Sequence, residues 1–299
     1  MSKRIDIYKK QLEPWLFIAP VVMSLGLWVY LPLIQEFILS FYEWNLLPNS
    51  PKEFVGLENY ESLIRLPEMR YAIWNTLLYI LGIFPMSVIL PLGIALFTQN
   101  LGGWSRDIYR TLIFVPMIIA PVVVAIIWRW LLNKDHGLIN VWIDVFGFTK
   151  IGFLEEKNYA LSTLIFITGW KLIGFSTLIF SAANANIDKS YIEAAKMDGA
   201  THWQIVCNIR LPLLSPSIFL LSMMTILLGS QWSFIYINIL THGGPLKSTT
   251  NIYYLLWEYG FGSLSVGWSA AAGVIAFSGF SVIAYFCMRL MNKRAIYDN

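Results

Sequence analysis

Charge is what this chain lacks most. Only 13% of its 299 residues are Asp, Glu, Lys or Arg, about half the ~25% usual in soluble chains, while 57% are hydrophobic. That balance excludes an ordinary soluble enzyme, a disordered chain and a disulfide-stapled secreted domain. Cysteine is nearly absent: Cys207 and Cys287 stand far apart, form no metal-type spacing and read as packing residues. No G-x-x-x-x-G-K-[ST] occurs, nor any Gly-Lys pair, so the chain has no such loop with which to hold ATP phosphates. H-E-x-x-H is missing too, and His136, His202 and His242 all fall between the apolar runs, so no catalytic residue and no metal site is expected. The formal net charge of +3 is spread between those runs and makes no stripe for nucleic acid.

What is present is a series of apolar runs of about 20 residues, the length with which a helix crosses a hydrocarbon core ~30 Å thick. Six spans are predicted, over about 15–35, 72–97, 112–132, 160–183, 213–240 and 267–290. Backbone amides in lipid must pair within their own segment, and the alternation of a membrane barrel is absent, so the fold class is an all-α integral membrane protein. The basic start, MSKRIDIYKKQLEP, leads into a run too long for a signal-peptide core, and the first helix is expected to be retained.

Six spans place both termini on one side. The N-terminus, the second and fourth loops and the C-terminus carry twelve Lys and Arg: Lys3, Arg4, Lys9, Lys10, Arg106, Arg110, Lys189, Lys196, Arg210, Arg289, Lys293 and Arg294. The other loops carry seven over longer stretches (Lys52, Arg65, Arg70, Lys134, Lys150, Lys157, Lys247). The positive-inside rule therefore predicts cytoplasmic termini.

Within the spans the ionisable residues are Arg129, near the end of the third, and Lys171, deep in the fourth and a candidate for facing a polar cavity. Glu36 sits at the edge of the first span and no carboxylate lies in any span core, which weighs against an ion-gradient-coupled carrier. Prolines 20, 32, 85, 91, 116, 121 and 216 predict kinks. Between the first two spans, Leu57, Tyr60, Leu63, Ile64 and Leu66 have the spacing of a short helix lying on the membrane surface.

The most specific segment is the loop 188–212, part of NIDKSYIEAAKMDGATHWQIVCNIRLP. Ser190 and Glu193 form S-x-x-E, a capping box that predicts a helix from Tyr191. Gly199 is expected to stop it in a left-handed conformation, and a second short helix follows over about 201–208. Two short helices joined at a glycine make a compact knob, with Ala194 and Ala195 small enough to let another surface approach and Tyr191, Ile192 and Trp203 offering apolar contact.

Glu193, Ala194, Ala195, Gly199, Ile209, Leu211 and Pro212 meet the pattern E-A-A-x3-G-x9-I-x-L-P. It resembles the EAA loop of the permease subunits of binding-protein-dependent ABC importers. The surrounding sequence is similar to the carbohydrate branch, the first permease of the maltose and glycerol-3-phosphate type: LFIAP near 17, FVGLENY at 54–60, RTLIFVPMIIAPVVVAIIW at 110–128 and LTHGGPLKSTTNIYYLLWEYGF at 240–261. The resemblance implies a single transmembrane permease domain. Its two short helices would dock into a cytoplasmic ATPase dimer through Glu193, Ala194, Ala195, Asp198, Gly199, Ile209, Leu211 and Pro212. A second, different permease chain and an external solute-binding protein are implied as partners, with ATP and Mg bound by the ATPase and no cofactor in this chain. The membrane implied is a bacterial or archaeal cytoplasmic membrane.

A sugar-like solute needs hydrogen-bonding groups and flat aromatic faces along its path. The candidates are Gln231, Trp232, Ser233, Tyr236 and Asn238 in the fifth span, Trp170, Lys171 and Ser176 in the fourth and Asn75 in the second. The turn Gly243-Gly244-Pro245 is the expected contact for the binding protein.

Overall fold

The computed structural model describes residues 14–15, 17–47, 49–98 and 102–294. Lys3, Arg4, Lys9 and Lys10, which carry much of the orientation argument, lie outside the described residues. The architecture is helical, and its long elements follow the apolar runs. These are α1 (Phe17–Leu39), α3 (Pro67–Phe97), α7 (Lys157–Ala185), α10 (Ser215–Thr241) and α12 (Val266–Arg294).

The third run is not one continuous helix. It forms α4 (Gly103–Ile118) and α5 (Pro121–Leu131), whose span segments are bent by 96° at the break. Pro121 supplies the local cause, because its ring disfavours the helical region for the preceding residue, and Ala120 is extended at ψ 136°. The other expected kinks are milder. α1 and α3 widen into π-turns at Gly26–Tyr30 and Pro85–Ile89, and Pro216 sits harmlessly in the first turn of α10, where its missing N–H has no helical partner to lose.

The described chain divides into two compact units. One comprises residues up to 65 together with 256–277. Here a pair of two-residue strands, β1 (Tyr42–Glu43) and β2 (Glu53–Phe54), precedes α2 (Glu58–Arg65), the short helix expected between the first two spans. Leu63 is its buried anchor, whereas Leu57 and Ile64 are exposed. Asn59 fastens the connection by donating its side-chain amide to the carbonyls of Ser40 at 2.9 Å and Tyr42 at 3.0 Å. The Tyr60 phenol donates to the Ser40 hydroxyl at 2.6 Å. Glu36, in the last turn of α1, lies against Gly273 so closely that a Cβ there would meet its Oε1 at 1.9 Å.

The other unit comprises 66–255 and the chain from 278 onward. Its core is built on α7, against which α3, α4, α5 and α10 pack, with Tyr79, Ile83, Val124, Leu164, Ile167, Tyr236 and Ile237 at the centre. Close approach depends on small residues. A Cβ on Gly174 would fall 2.1 Å from the Ile113 carbonyl oxygen, so α4 and α7 touch backbone to backbone there. After α5 comes α6 (Leu138–Val145), in the connection to α7. Asn140, fully buried, ties that connection by donating to the Asn133 and Ile151 carbonyls and accepting from the Ile151 N–H at 2.8 Å.

Candidate functional site

The loop after α7 folds as the expected pair of helices, with one change in its caps. α8 (Lys189–Met197) begins two residues earlier than Tyr191, because Asp188 takes the capping position and accepts from the Ser190 N–H at 2.9 Å. That bond, helped by one from the Ser190 hydroxyl, holds the Asp188 carboxyl below the usual carboxylate range. A capping box does exist, but on the second helix, α9 (His202–Ile205). Thr201 and Gln204 exchange backbone and side-chain bonds of 2.7 and 3.4 Å. Asp and Thr are both good cap residues, and S-x-x-E, starting two residues later, lost to the earlier Asp.

Gly199 ends α8 at φ +75°, as expected. The Ala200 N–H returns to the Ala195 carbonyl at 2.9 Å and the Gly199 N–H to that of Lys196 at 3.1 Å, the paired bonds of a Schellman turn. α9 then runs through a π-turn (Val206–Arg210) to Leu211–Leu213. The knob is pinned to the helix ends behind it. Val206 and Leu214 are buried with Leu96 of α3, flanked by Ala183, Ile187 and Leu211, and the Arg210 guanidinium donates to Asn184 Oδ1 at 3.1 Å.

Its outward side is open. Tyr191, Ala194, Ala195, Asp198, Asn208, Ile209, Pro212 and Leu213 line a groove of about 400 Å³, room for a few side chains. Gly199 belongs to the adjoining hollow with Ala195 and Asp198, while Glu193 is exposed and Leu211 faces the packed side. Met197 at 89% exposure and Trp203 at 66% extend an apolar surface that nothing in this chain covers among the described residues.

The expected path residues separate by environment. In α10 the α-helical segment Ser230–Tyr236 is bracketed by π-turns at Thr225–Gly229 and Ile237–Thr241, a local widening frequent at functional sites. Gln231 is exposed, Trp232 and Asn238 are half-buried, and Ser233 and Tyr236 are buried. The Ser233 hydroxyl donates to the Ser230 carbonyl and receives a bond from Asn251. Trp170 packs edge-on against Trp128, and Ser176 is buried. Asn75 is also occupied: its amide donates to the carbonyls of Lys247 at 3.0 Å and Thr250 at 2.9 Å.

Lys171 is engaged by the backbone. It is 3% exposed and its ammonium donates to the Ile119 carbonyl, at the break between α4 and α5. The broken helix frees carbonyls at its C-terminal end, where a cation is favoured by hydrogen bonding and by the helix dipole. Arg129 is exposed in the last turn of α5.

Two features were invisible in the sequence. Tyr79 lies in an uninterrupted apolar run, yet its phenol bonds Thr168 and the Leu164 carbonyl, making a buried polar centre shared by α3 and α7. The Tyr236 hydroxyl is buried in the same core with no partner among the described residues. Asn251 is the other, fully buried at the end of the Gly243-Gly244-Pro245 turn.

Over residues 71–297 the sequence matches the family described as binding-protein-dependent transport system inner membrane component. It is similar to a probable ABC transporter permease protein of Sinorhizobium fredii, with 32% identity over 257 residues, 85% of this chain and 82% of that one. It is also similar to the sn-glycerol-3-phosphate transport system permease protein UgpA of Pectobacterium atrosepticum, with 29% identity over 302 residues and 100% of both chains. Among solved structures, a chain of a bacterial ABC transporter involved in the import of the acidic polysaccharide alginate shares the fold. Its TM-score is 0.82 at 24% identity, over 98% of this chain and 99% of that chain. A chain so matched, with its long apolar helices and its EAA loop folded as a braced knob, belongs to the binding-protein-dependent inner membrane components and is a multi-pass permease of the ABC importer type.

Proposed function

We propose that this chain is one of two permease subunits of an ATP-driven importer for a sugar, an oligosaccharide, or a sugar or glycerol phosphate. The second permease is a different chain. An ATPase dimer, holding ATP and Mg, docks on the 188–212 knob through Glu193, Ala194, Ala195, Asp198, Gly199, Ile209, Leu211 and Pro212. The termini and this loop face the cytoplasm, and Gly243-Gly244-Pro245 face an external solute-binding protein.

The observation that carries the reading is the knob itself: two capped helices, a Schellman turn between them and an apolar root pinned to α3 and α7. A body so braced transmits a push from an ATPase into the spans, where a floppy loop would absorb it. The substrate class rests on relatives: UgpA is named for sn-glycerol-3-phosphate transport, and the alginate transporter has been solved with a periplasmic protein carrying an alginate pentasaccharide. Within α10, Gln231, Trp232 and Asn238 are the path residues left most accessible.

The test is to tag this chain, purify it gently from its own membrane and identify the proteins that accompany it. An ATPase and a second multi-span chain are expected, and the solute-binding protein that stimulates the assembly can then be screened for its ligand. A chain that emerges alone or only with copies of itself removes the reading.

A further inference from the structure

The turn between α10 and α11 (Ile252–Trp257) is held in an unusual backbone. His242, Leu246 and Lys247 all have positive φ, at 50°, 52° and 61°, values that side chains other than glycine seldom adopt. Such a conformation persists only where its surroundings over-determine it. Here they do. The Thr249 hydroxyl donates to the Gly244 carbonyl at 2.8 Å, the Thr250 hydroxyl donates to that of Gly243 at 3.1 Å, and Asn75 of α3 grips the Lys247 and Thr250 carbonyls. Thr249, Thr250 and Asn251 are fully buried, while Leu246 at the tip is 84% exposed. The turn is thus a rigid lever with a free apolar end.

Asn251 joins that lever to the fifth span. Its Oδ1 accepts from the Tyr254 N–H at 2.9 Å and caps the start of α11, while its Nδ2 reaches the Ser233 hydroxyl and the Ser230 carbonyl. One side chain therefore spans the turn, α11 and the Ser230–Tyr236 segment, which the two flanking π-turns leave as a separate short helix. That segment carries Gln231 and Trp232.

We propose that Asn251 is a positioning residue that passes the docking of the solute-binding protein on the outer turn to the Ser230–Tyr236 segment of α10. The inference rests on the importer reading and adds the route by which an external protein acts on the path. Because packed elements shift between discrete arrangements, a buried hydrogen-bonded joint moves both of its sides together.

The experiment uses the purified importer with its partners in proteoliposomes, measuring ATP hydrolysis with and without the solute-loaded binding protein. Asn251→Ser retains a helix-capping hydroxyl but is too short to reach Ser233. Its basal hydrolysis is expected to match that of the unaltered assembly, and the concentration of binding protein giving half-maximal effect to stay the same. The maximal stimulation should fall about fivefold or more, within the range of coupling between distant sites. A merely structural joint would lower basal and stimulated rates together. Stimulation at the unaltered level in Asn251→Ser overturns the proposal. Should that variant fail to assemble, Asn251→Thr, which also keeps a capping hydroxyl and is likewise too short to reach Ser233, is expected to show the same loss; unaltered stimulation there overturns it equally. Absence of any stimulation in the unaltered assembly removes the importer reading and the coupling with it.

Discussion

The Lys171 ammonium caps the carbonyl of Ile119, a residue 52 positions earlier, where the third span breaks and turns through 96°. This places the only deeply buried lysine among the described residues in the service of the backbone. A carbonyl left without a partner in a buried site costs about 1–3 kcal/mol. Lys171→Met should therefore lower the thermal stability of the purified assembly and reduce uptake of neutral and anionic solutes alike. A defect confined to anionic solutes, with stability unchanged, would give Lys171 to the solute instead.

Gly174 is the companion to that cap. Its Cβ would lie 2.1 Å from a backbone oxygen that cannot step aside, so Gly174→Ala should destabilise by about 1–3 kcal/mol or more through overpacking. Gly93, also within a helix, has nothing within 4 Å, and Gly93→Ala should be neutral or stabilise by about 0.5–1 kcal/mol through helix propensity. Thermal unfolding of the two variants side by side decides this, and equal midpoints would show that α4 and α7 do not meet as described.

Gly199 tests the knob as a machine part. A Cβ there has open space but an unfavourable φ of +75°, so Gly199→Asn, which tolerates the left-handed region, should keep the turn. Gly199→Asp is expected to leave the chain inserted while cutting coupled uptake about tenfold or more, since a charge enters a docking surface, where like-charge or unpaired contacts cost several kcal/mol. Normal uptake in Gly199→Asp would remove the docking assignment.

The cap of α8 can be read by hydrogen exchange. Asp188→Ala should speed exchange of amides at the start of 189–197, and Ser190→Ala, which removes a hydroxyl bond to Asp188 but keeps the backbone one, should do so less. Asp188 has a depressed folded-state pKa, so its cap is fully present above the usual Asp value of about 3.9 and is lost only as pH falls through the lower folded value. Protection should accordingly be flat from neutral pH down to the unfolded Asp range. Faster exchange in Ser190→Ala than in Asp188→Ala would restore the S-x-x-E box to this helix.

Those two caps show where sequence reasoning stops. Gly199 was legible because a left-handed stop leaves a local mark, and the apolar runs were legible because lipid demands whole helices. Asp188 and Ser190 both satisfy cap chemistry, and only the three-dimensional start of the helix chooses between them. The break at Ala120-Pro121 was half-written: proline marks a weak point, but Pro85 and Pro91 sit in a helix that runs through, and the Lys171 that meets the freed Ile119 carbonyl lies on another span. Asn75 and Ser233 are path candidates in the sequence because a sugar-like solute needs hydrogen-bonding groups along its way. In the fold they also bond Lys247, Thr250 and Asn251, through contacts that no local pattern reveals. Tyr79 and Thr168 are 89 residues apart and carried no signal at all.

The central claim is that this permease works for a binding protein on one side and an ATPase on the other. The most direct measurement is solute uptake into proteoliposomes containing the purified assembly, with ATP enclosed and solute-loaded binding protein outside. Uptake is predicted to require both ATP and the binding protein and to persist when every ion gradient has been collapsed. Uptake that survives without ATP and disappears with the ion gradient would contradict the account.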